Sequence, residues 1–270
     1  MKATKVLFIN TEILPYMSDS KQSVIGRQLA QRIQENGHEI RTFMPRFGLI
    51  NERRNQLHEV IRLSGMNLII NDTDHPLIIK VSSIQPARMQ VYFIDNDDYF
   101  TRRATYADEN GVEFTDNTER CVFYARGVIE TIRKLRWVPD VVVCQGWFTS
   151  IAPIYIKRCF ADDPCFRNSK VVLSLYDDAF KTPLADDFAQ IVTREGISSE
   201  DMQEIAGKTL THADLCNFAL KFCDGLIVTE PTADPAIIEH AEKLGLPVLH
   251  HPEGEDYVGA YDEFFDKITG

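Results

Sequence analysis

The stretch VLFINTEILPYMSDSKQSVIGRQLAQRIQENGHEIRTFM, residues 6–44, decides the fold class of this chain. It opens on four apolar residues, Val6-Leu7-Phe8-Ile9, a run typical of a strand buried on both faces of a sheet. After a polar loop, apolar residues recur at every fourth position, as on one face of a helix, at Ile25, Leu29 and Ile33. Asn36-Gly37 ends that helix, and Glu39 to Met44 form the next strand. This order predicts a right-handed βαβ unit with parallel strands.

The rest of the chain repeats this alternation around one β-rich stretch. Residues 56–94 carry strand-like segments separated by turn residues: Val60 to Leu63, Leu68 to Ile70, Leu77 to Ser83 and Met89 to Ile94. Later strands are predicted at Val141 to Cys144, Val171 to Leu175, Leu226 to Val228 and Val248-Leu249. The helices between and after them include Trp147 to Phe160, about 184–223, and Asp256 to Ile268. We therefore predict an α/β fold, a doubly wound Rossmann-like parallel sheet with a β insertion at about 56–94, in a single domain over residues 1–270.

The chain is acidic, with 29 Lys and Arg against 40 Asp and Glu and a net charge of −11. Nucleic-acid-binding proteins show a basic excess, and anionic membranes repel an acidic protein, so neither partner is predicted. The apolar run after Lys5 is too short for a signal peptide, and no run reaches membrane-spanning length. The six cysteines lack metal-ligand spacing and are typical of reduced thiols, so we expect a cytoplasmic protein.

Ligands of open α/β sheets bind beyond the carboxyl ends of the strands. Four segments are predicted there: Asn10 to Lys21, Asp95 to Arg103, Gln145 to Thr149, and Tyr176-Asp177-Asp178. None contains a G-x-G-x-x-G or G-x-x-x-x-G-K-[ST] pattern, which weakens dinucleotide-binding and P-loop interpretations. No metal is predicted, because the adjacent His250 and His251 would point to opposite faces of a strand. The acidic residues of 95–98 lack the spacing and the glycine of a calcium loop.

Several segments match, in order, the motifs of one enzyme family. Lys5 to Tyr16 resembles the first strand and the S-E-x-x-P-F loop of bacterial glycogen and starch synthases. Further similar segments follow at matching spacing: Gly37 to Arg41, Met44 to Gly48, Phe93 to Arg102, Tyr106 to Gly111, Asp116 to Arg120, and Trp147 to Pro153. By this resemblance the chain is identified as the N-terminal catalytic domain of an ADP-glucose-type glycogen or starch synthase. The resemblance implies the N-terminal half of a GT-B glycosyltransferase, without metal or other cofactor.

The resemblance also implies a reaction, glucosyl transfer from ADP-glucose to an α-1,4-glucan. ADP-glucose and α-glucan are therefore the expected ligands. The family's K-[ST]-G-G donor loop falls on Ser18, Asp19, Ser20 and Lys21, where both glycines are absent. Asp19 would repel a diphosphate that approaches the helix N-terminus, and Lys21 would compensate only in part. The alternative interpretation is that Asp19 or Ser20 simply caps the helix.

The histidine of the family's H-D-W motif falls on Gln145, whose amide cannot hold a proton near neutral pH, so no catalytic residue is assigned. A second family histidine falls on Tyr176. The glucan-side, or acceptor-side, candidates are Tyr99, Arg102, Asp116, Asn117, Arg120, Trp147 and Tyr176.

Structural alternatives stay open for several of these candidates. Trp147 could pack against a sugar ring or lie in the core at a helix start. Asp116 could be the N-cap of a helix, in a capping box with Glu119, and Arg120 could pair with Asp116 one helical turn away.

Three functions are consistent with these residues. The first is a glycosyltransferase domain that is inactive or incomplete as a lone chain, because the donor loop, the histidines and the expected second domain are missing. A partner chain or a second copy would then cover a cleft face, which we expect to be an apolar patch. The second is a non-catalytic glucan-binding or regulatory module. The third is an unrelated Rossmann-like enzyme of a small ligand, which the shared order of motifs disfavours.

Overall fold

One twisted sheet organises the protein, whose computed structural model describes residues 3–254 and 257–270. Its strands are β1 (Lys5–Ile9), β2 (Glu39–Pro45), β3 (His58–Glu59), β4 (Met66–Ile70), β5 (Thr73–Ile84), β6 (Met89–Asp95), β7 (Val141–Gln145), β8 (Lys170–Leu175), β9 (Gly225–Val228) and β10 (Val248–His250). The helices are α1 (Lys21–Glu35), α2 (Asp97–Phe100), α3 (Asn117–Leu135), α4 (Ala152–Ile154), α5 (Phe188–Val192), α6 (Ser199–Met202), α7 (His212–Leu220), α8 (Pro235–Lys243) and α9 (Val258–Thr269). A 3₁₀ turn, Trp147–Thr149, precedes α4 and a π-helical turn, Tyr155–Cys159, follows it.

The centre of the sheet is parallel and has the order β10-β9-β8-β7-β1-β2-β6. Strand β1 lies in the middle, with Val6 opposite both Ile40 of β2 and Val141 of β7. Its apolar residues are fully buried, as expected for a strand covered on both faces. The predicted doubly wound Rossmann-like sheet is therefore confirmed. The direction of strand addition reverses between β1 and β7, and such a switch point is where ligands bind in this architecture.

The β-rich stretch differs in part from the prediction. Strand β6 pairs in parallel with β2, so it belongs to the central sheet, and only β3, β4 and β5 are antiparallel additions. Strands β4 and β5 form a hairpin that turns at Asn71 and Asp72, both at positive φ. The strand predicted at Val60 to Leu63 is wrong: these residues form a turn, in which Leu63 N–H donates to Val60 O at 2.9 Å. Ile61 is 83% exposed, so its apolar side chain does not belong to a buried strand.

Two predicted helices are broken in the structure. Trp147 to Phe160 is a succession of 3₁₀, α and π turns, and Pro153, which lacks a backbone N–H, lies in the first turn of α4. Residues 184–223 form three short helices, α5 to α7, and Gly196 at φ 96° packs against the backbone of Cys159 in the gap between α5 and α6. The last predicted helix began at Asp256, which lies outside the described residues. None of the helices in the described ranges combines the length and apolarity that a membrane crossing requires.

Candidate functional site

The switch point between β1 and β7 is bridged by the chain's own polar groups. Thr11, just after β1, donates its hydroxyl to Gln145 O at 2.9 Å, across the mouth of the crevice. The Gln22 side chain from the first turn of α1 donates to Thr11 Oγ1 at 3.0 Å and to Gln145 O at 3.3 Å. All three residues are buried. The position where a ligand would meet the ends of both strands is thus already hydrogen-bonded within the protein.

Gln145, at the family histidine position, is fully buried. Its Oε1 accepts a 2.6 Å hydrogen bond from the hydroxyl of Tyr176, which is also buried. Its Nε2 has no partner among the described residues and is sealed from solvent. A buried unpaired amide N–H costs about 1–3 kcal/mol, so this position is not optimised for stability alone.

Gly146 follows Gln145 at φ 81°, a conformation that favours glycine. A Cβ atom there would lie 2.0 Å from Gln22 Nε2 and 2.7 Å from Asp178 Oδ2. The close approach of these two side chains is therefore possible only with glycine at this position.

Asp178, which follows β8, caps the turn that begins at Trp147. Its Oδ2 accepts from Trp147 N–H at 3.0 Å, and its Oδ1 lies 3.3 Å from His212 Nε2. A carboxylate of the chain itself thus occupies a backbone donor just beyond the carboxyl end of β7. Asp178 was within a segment that the strand pattern placed at this edge. His212 had no sequence signal, since it begins α7, about 34 residues further on.

The donor loop caps its own helix. Ser20 is the N-cap of α1: its Oγ accepts from Ser23 N–H at 3.0 Å, and Ser23 Oγ accepts from Ser20 N–H at 2.9 Å. This confirms the capping interpretation for Ser20. Ser18, Asp19 and Lys21 are exposed.

Glu12 adds a carboxylate behind this loop. Its Oε2 accepts a 2.6 Å hydrogen bond from Ser20 Oγ. Burial raises the pKa of Glu12, against the opposing hydrogen bond from Ser20, and the negative charge of Asp178 raises it further. We call residues 10–21 together with Gln145 and Asp178 the donor side. It contains three carboxylates, those of Glu12, Asp19 and Asp178, against the single exposed cation of Lys21.

The acceptor side, defined here as Tyr99, Arg102 and residues 116–120, is linked by internal bonds. Arg102 Nη1 donates to Asp116 Oδ1 at 2.7 Å, and its Nη2 donates to Asp116 Oδ2. The hydrogen bonds that Arg102 donates to Asp116 raise the pKa of Arg102. Asp116 stands at the N-cap position of α3, but its side chain makes no capping bond. The predicted capping box is therefore wrong, because Arg102 takes the Asp116 carboxylate.

Glu119 is turned away from the helix start as well. Its carboxylate accepts from Tyr99 OH at 2.9 Å and from Asn71 Nδ2 at 3.2 Å. The Tyr99 hydroxyl also lies 3.0 Å from His75 Nε2. Burial and the neighbouring Glu119 raise the pKa of Tyr99. Tyr99 thus joins the β4–β5 hairpin to α3.

Arg120 is fully buried beneath this network. Its Nε donates to Tyr99 O at 2.9 Å and its Nη1 donates to Asn117 Oδ1 at 2.7 Å. The expected Asp116–Arg120 pair is wrong, since Asp116 pairs with Arg102 instead. Four aromatic rings surround the guanidinium at 5.3–5.8 Å from their centroids, those of Phe47, Phe100, Phe114 and Phe148. Burial lowers the pKa of Arg120 to about 10.

Trp147 is 3% exposed and packs in an aromatic cluster. Its ring centroid lies 4.9 Å from that of Phe180 and 5.0 Å from that of Tyr106. Trp147, Phe180 and Asn117 border a pocket of about 110 Å³, and Tyr176 and His212 border a neighbouring one of about 320 Å³. Glu113 fixes the rim between them by accepting from the backbone N–H groups of Lys181 and Thr182 at 2.8 and 2.6 Å. These backbone bonds outweigh desolvation and lower the pKa of Glu113.

Within 3–254 and 257–270, no three His, Cys, Asp or Glu side chains are grouped to hold a metal ion. Burial raises the pKa of the Cys144 thiol, as expected for an inert core cysteine. The exposed large apolar side chains are scattered over separate elements, at Leu49, Ile61, Ile69, Val112, Val138 and Leu244.

The sheet order, the switch point and the ordered motifs together define the Rossmann-like N-terminal half of a GT-B glycosyltransferase. The chain belongs to the starch synthase catalytic domain family, whose sequence profile matches residues 5–249. The third interpretation, an unrelated small-ligand enzyme that the order of motifs disfavoured, is therefore wrong.

Similar proteins support this assignment. The chain is 33% identical over 174 residues to the glycogen synthase of Chlorobium limicola, a match that covers 64% of this chain and 36% of that protein. The glycogen synthase of Chlorobium luteolum matches with the same identity and coverage. The catalytic domain of starch synthase IV from Arabidopsis thaliana, solved with ADP and acarbose, shares the fold with a TM-score of 0.68 and 14% identity, over 98% of this chain and 50% of that one. The chain thus spans about a third of the curated relatives and half of this structural neighbour.

Proposed function

We propose that this chain is a glycogen/starch-synthase-like glycosyltransferase domain whose donor side does not hold ADP-glucose, so that by itself it does not transfer glucose. One observation carries the proposal: Asp178 accepts from the Trp147 N–H and Ser20 accepts from the Ser23 N–H, which are two backbone donors at the switch point. Helix N-termini bind anions through such N–H groups and through the helix dipole. These two donors already have partners from the chain itself.

Charge supports the same conclusion. A carboxylate about 4 Å from a phosphate charge opposes it by about 4 kcal/mol at an effective dielectric constant of about 20. Glu12 and Asp178 lie close enough to influence each other, and Asp19 is exposed on the adjoining loop. Lys21 offsets one of these charges at most, because it is a single exposed ammonium group.

The test is calorimetric titration of the 270-residue chain with ADP-glucose, paired with radiolabelled glucose incorporation from ADP-glucose into glycogen. We expect no saturable heat and no incorporation by the chain alone. A micromolar dissociation constant, about −8 kcal/mol, would overturn the proposal, because such affinity needs a working diphosphate site. Incorporation that appears only when cell extract is added would support a partner chain that completes the cleft.

The second candidate is a glucan-binding or regulatory module. The pocket beside Trp147 favours it, because aromatic rings stand next to the Asn117 amide and the Glu113 carboxylate. Carbohydrate sites combine apolar ring faces with such hydrogen-bonding groups. Affinity electrophoresis through glycogen tests this candidate, with Phe180→Ala as the variant. Migration through glycogen equal to migration through a plain gel would exclude glucan binding.

A further inference from the structure

A separate pocket of about 340 Å³ lies away from the strand ends, between the tip of the β4–β5 hairpin, α3 and the segment that follows α5. Its volume falls in the range of small-molecule sites. Ile69 and Asn71 line it from the hairpin, Arg126 from α3, and Thr193 and Arg194 from beyond α5. None of these residues belongs to the donor side or to the acceptor side, although Asn71 donates to Glu119 of the acceptor side. The proposal below therefore does not rest on the proposed function.

Arg126 forms the floor of this pocket and is 8% exposed. Its Nη1 donates to Ile69 O, and no carboxylate pairs with it in the described part of the chain. The other N–H groups of the Arg126 guanidinium have no partner among the described residues, but they are not closed off from solvent. A buried guanidinium normally has an anionic partner, because burial without one is costly. Arg126 lacks that partner within the protein.

Arg194 lies at the exposed rim of the same pocket. It makes no ion pair with any described residue, although the chain has 40 acidic residues against 29 basic ones. Burial by the surrounding protein lowers the pKa of Arg194, with no contribution from a neighbouring carboxylate. The pocket therefore presents two guanidinium groups that form no ion pair within the part of the chain that the structure describes, although two carboxylates line the same pocket.

We propose that this pocket binds the phosphate group of a small phosphorylated polyhydroxy compound. Planar guanidinium groups donate paired hydrogen bonds to phosphate oxygens. Two guanidinium groups carry two positive charges, which match the two negative charges of a phosphate monoester better than the single charge of a carboxylate ligand. Asp72 and Glu195 also line the pocket and pair with neither arginine. Together with Asn71 they can accept from hydroxyl groups, whereas they would oppose a bare anion.

The experiment titrates the intact chain with sorbitol 6-phosphate, inorganic phosphate and sorbitol at low ionic strength, by calorimetry and thermal shift. We expect saturable binding of sorbitol 6-phosphate, weaker binding of phosphate and none of sorbitol. Arg194→Gln should weaken sorbitol 6-phosphate binding at least about tenfold. Arg126→Gln should also weaken binding of sorbitol 6-phosphate. If that variant does not fold, Arg126→Lys replaces it, because lysine keeps the charge and a donor for Ile69 O. Arg54→Gln removes an exposed arginine outside the pocket and should change nothing.

The absence of saturable binding by either phosphate compound would overturn the site. Equal affinities of Arg194→Gln and Arg54→Gln would overturn it too, since the binding would then be non-specific attraction to surface charge. Inorganic phosphate bound as tightly as the ester would overturn the polyhydroxy part of the proposal. ADP-glucose binding in the same titration would contradict only the proposed function, so the two outcomes can be told apart.

Discussion

The donor side and the acceptor side lie along the same edge of the sheet. They differ in how well their residues match the family motifs. On the donor side the residues differ from the family motifs, and their polar groups are bonded within the chain: Ser20 donates to Glu12, and Asp178 accepts from the Trp147 N–H. On the acceptor side the residue types are kept, yet Arg120 is fully buried and Arg102 is held by Asp116. The donor-side residues differ from the family motifs, whereas the acceptor-side residues that match the motifs are bonded within the fold.

This contrast shows that retained residue types do not by themselves indicate a retained activity. Arg120 has a structural role, because it donates to the Tyr99 carbonyl and to the Asn117 side-chain oxygen in the interior. This role would require an arginine whether or not the chain binds a ligand. Substitutions on the two sides should therefore separate stability from binding. The acceptor side should respond mainly in stability.

The largest effect is expected for Arg120→Ala. Removal of the guanidinium leaves the buried Tyr99 carbonyl and Asn117 amide unpaired and empties a space between four rings, so unfolding should need about 3–5 kcal/mol less free energy. Urea denaturation measures it, with Arg103→Ala, an exposed arginine, as the matched control expected to stay near wild type. A variant that kept its stability but lost retention on glycogen would contradict the structural role of the acceptor side, because Arg120 would then be a binding residue.

Gly146→Ala should follow, with a loss of about 3 kcal/mol, because the new Cβ would collide with the Gln22 amide at a positive φ. The Gln22→Ala background relieves one of the two collisions and should recover part of the loss in a double-mutant cycle. Additive effects of the two substitutions would show that the packing between Gly146 and Gln22 is not what closes the crevice.

Asp116→Asn should cost about 1 kcal/mol, since it removes the charge of a paired carboxylate that is about a quarter exposed, at 26%. An N-cap carboxylate replaced by asparagine would instead lose almost nothing. Thermal unfolding distinguishes the two, with Asp186→Asn, an exposed aspartate, as the control. An unchanged melting temperature would contradict this prediction. It would favour a capping role for Asp116 over its ion pair with Arg102.

The smallest effect is expected for Glu12→Gln. The pKa of Glu12 is raised in the folded chain, so its buried charge destabilises the fold at neutral pH, and this penalty disappears as the pH falls through the folded pKa. The variant should be more stable at neutral pH by about 0.5 kcal/mol or less, with the Ser20 bond kept by the amide oxygen. The difference from wild type should vanish below the usual pKa of glutamate, while Glu109→Gln shows no such trend. A variant less stable at neutral pH would show that the Glu12 charge supports the loop.

The sequence predicted the sheet because its signals are local. Four buried apolar residues at β1 and the fourfold spacing in α1 need no knowledge of distant partners. The site depended on contacts between residues far apart in the chain, such as Trp147 with Asp178, or Arg102 with Asp116. The pattern at residues 116–119 matched a capping box, but a nearby arginine is a stronger partner for the carboxylate than a backbone N–H. No pattern in one sequence shows that competition.

The central place of β1 has a consequence for the order of events during synthesis. Val6 pairs with Val141, so about 135 further residues must be synthesised after β1 before its second neighbouring strand exists. Until then one edge of a fully apolar strand stays open, and an unpaired apolar edge invites pairing with another chain. A nascent chain released before residue 141 is therefore expected to aggregate or to require a chaperone, whereas one released after β8 should already hold its centre together.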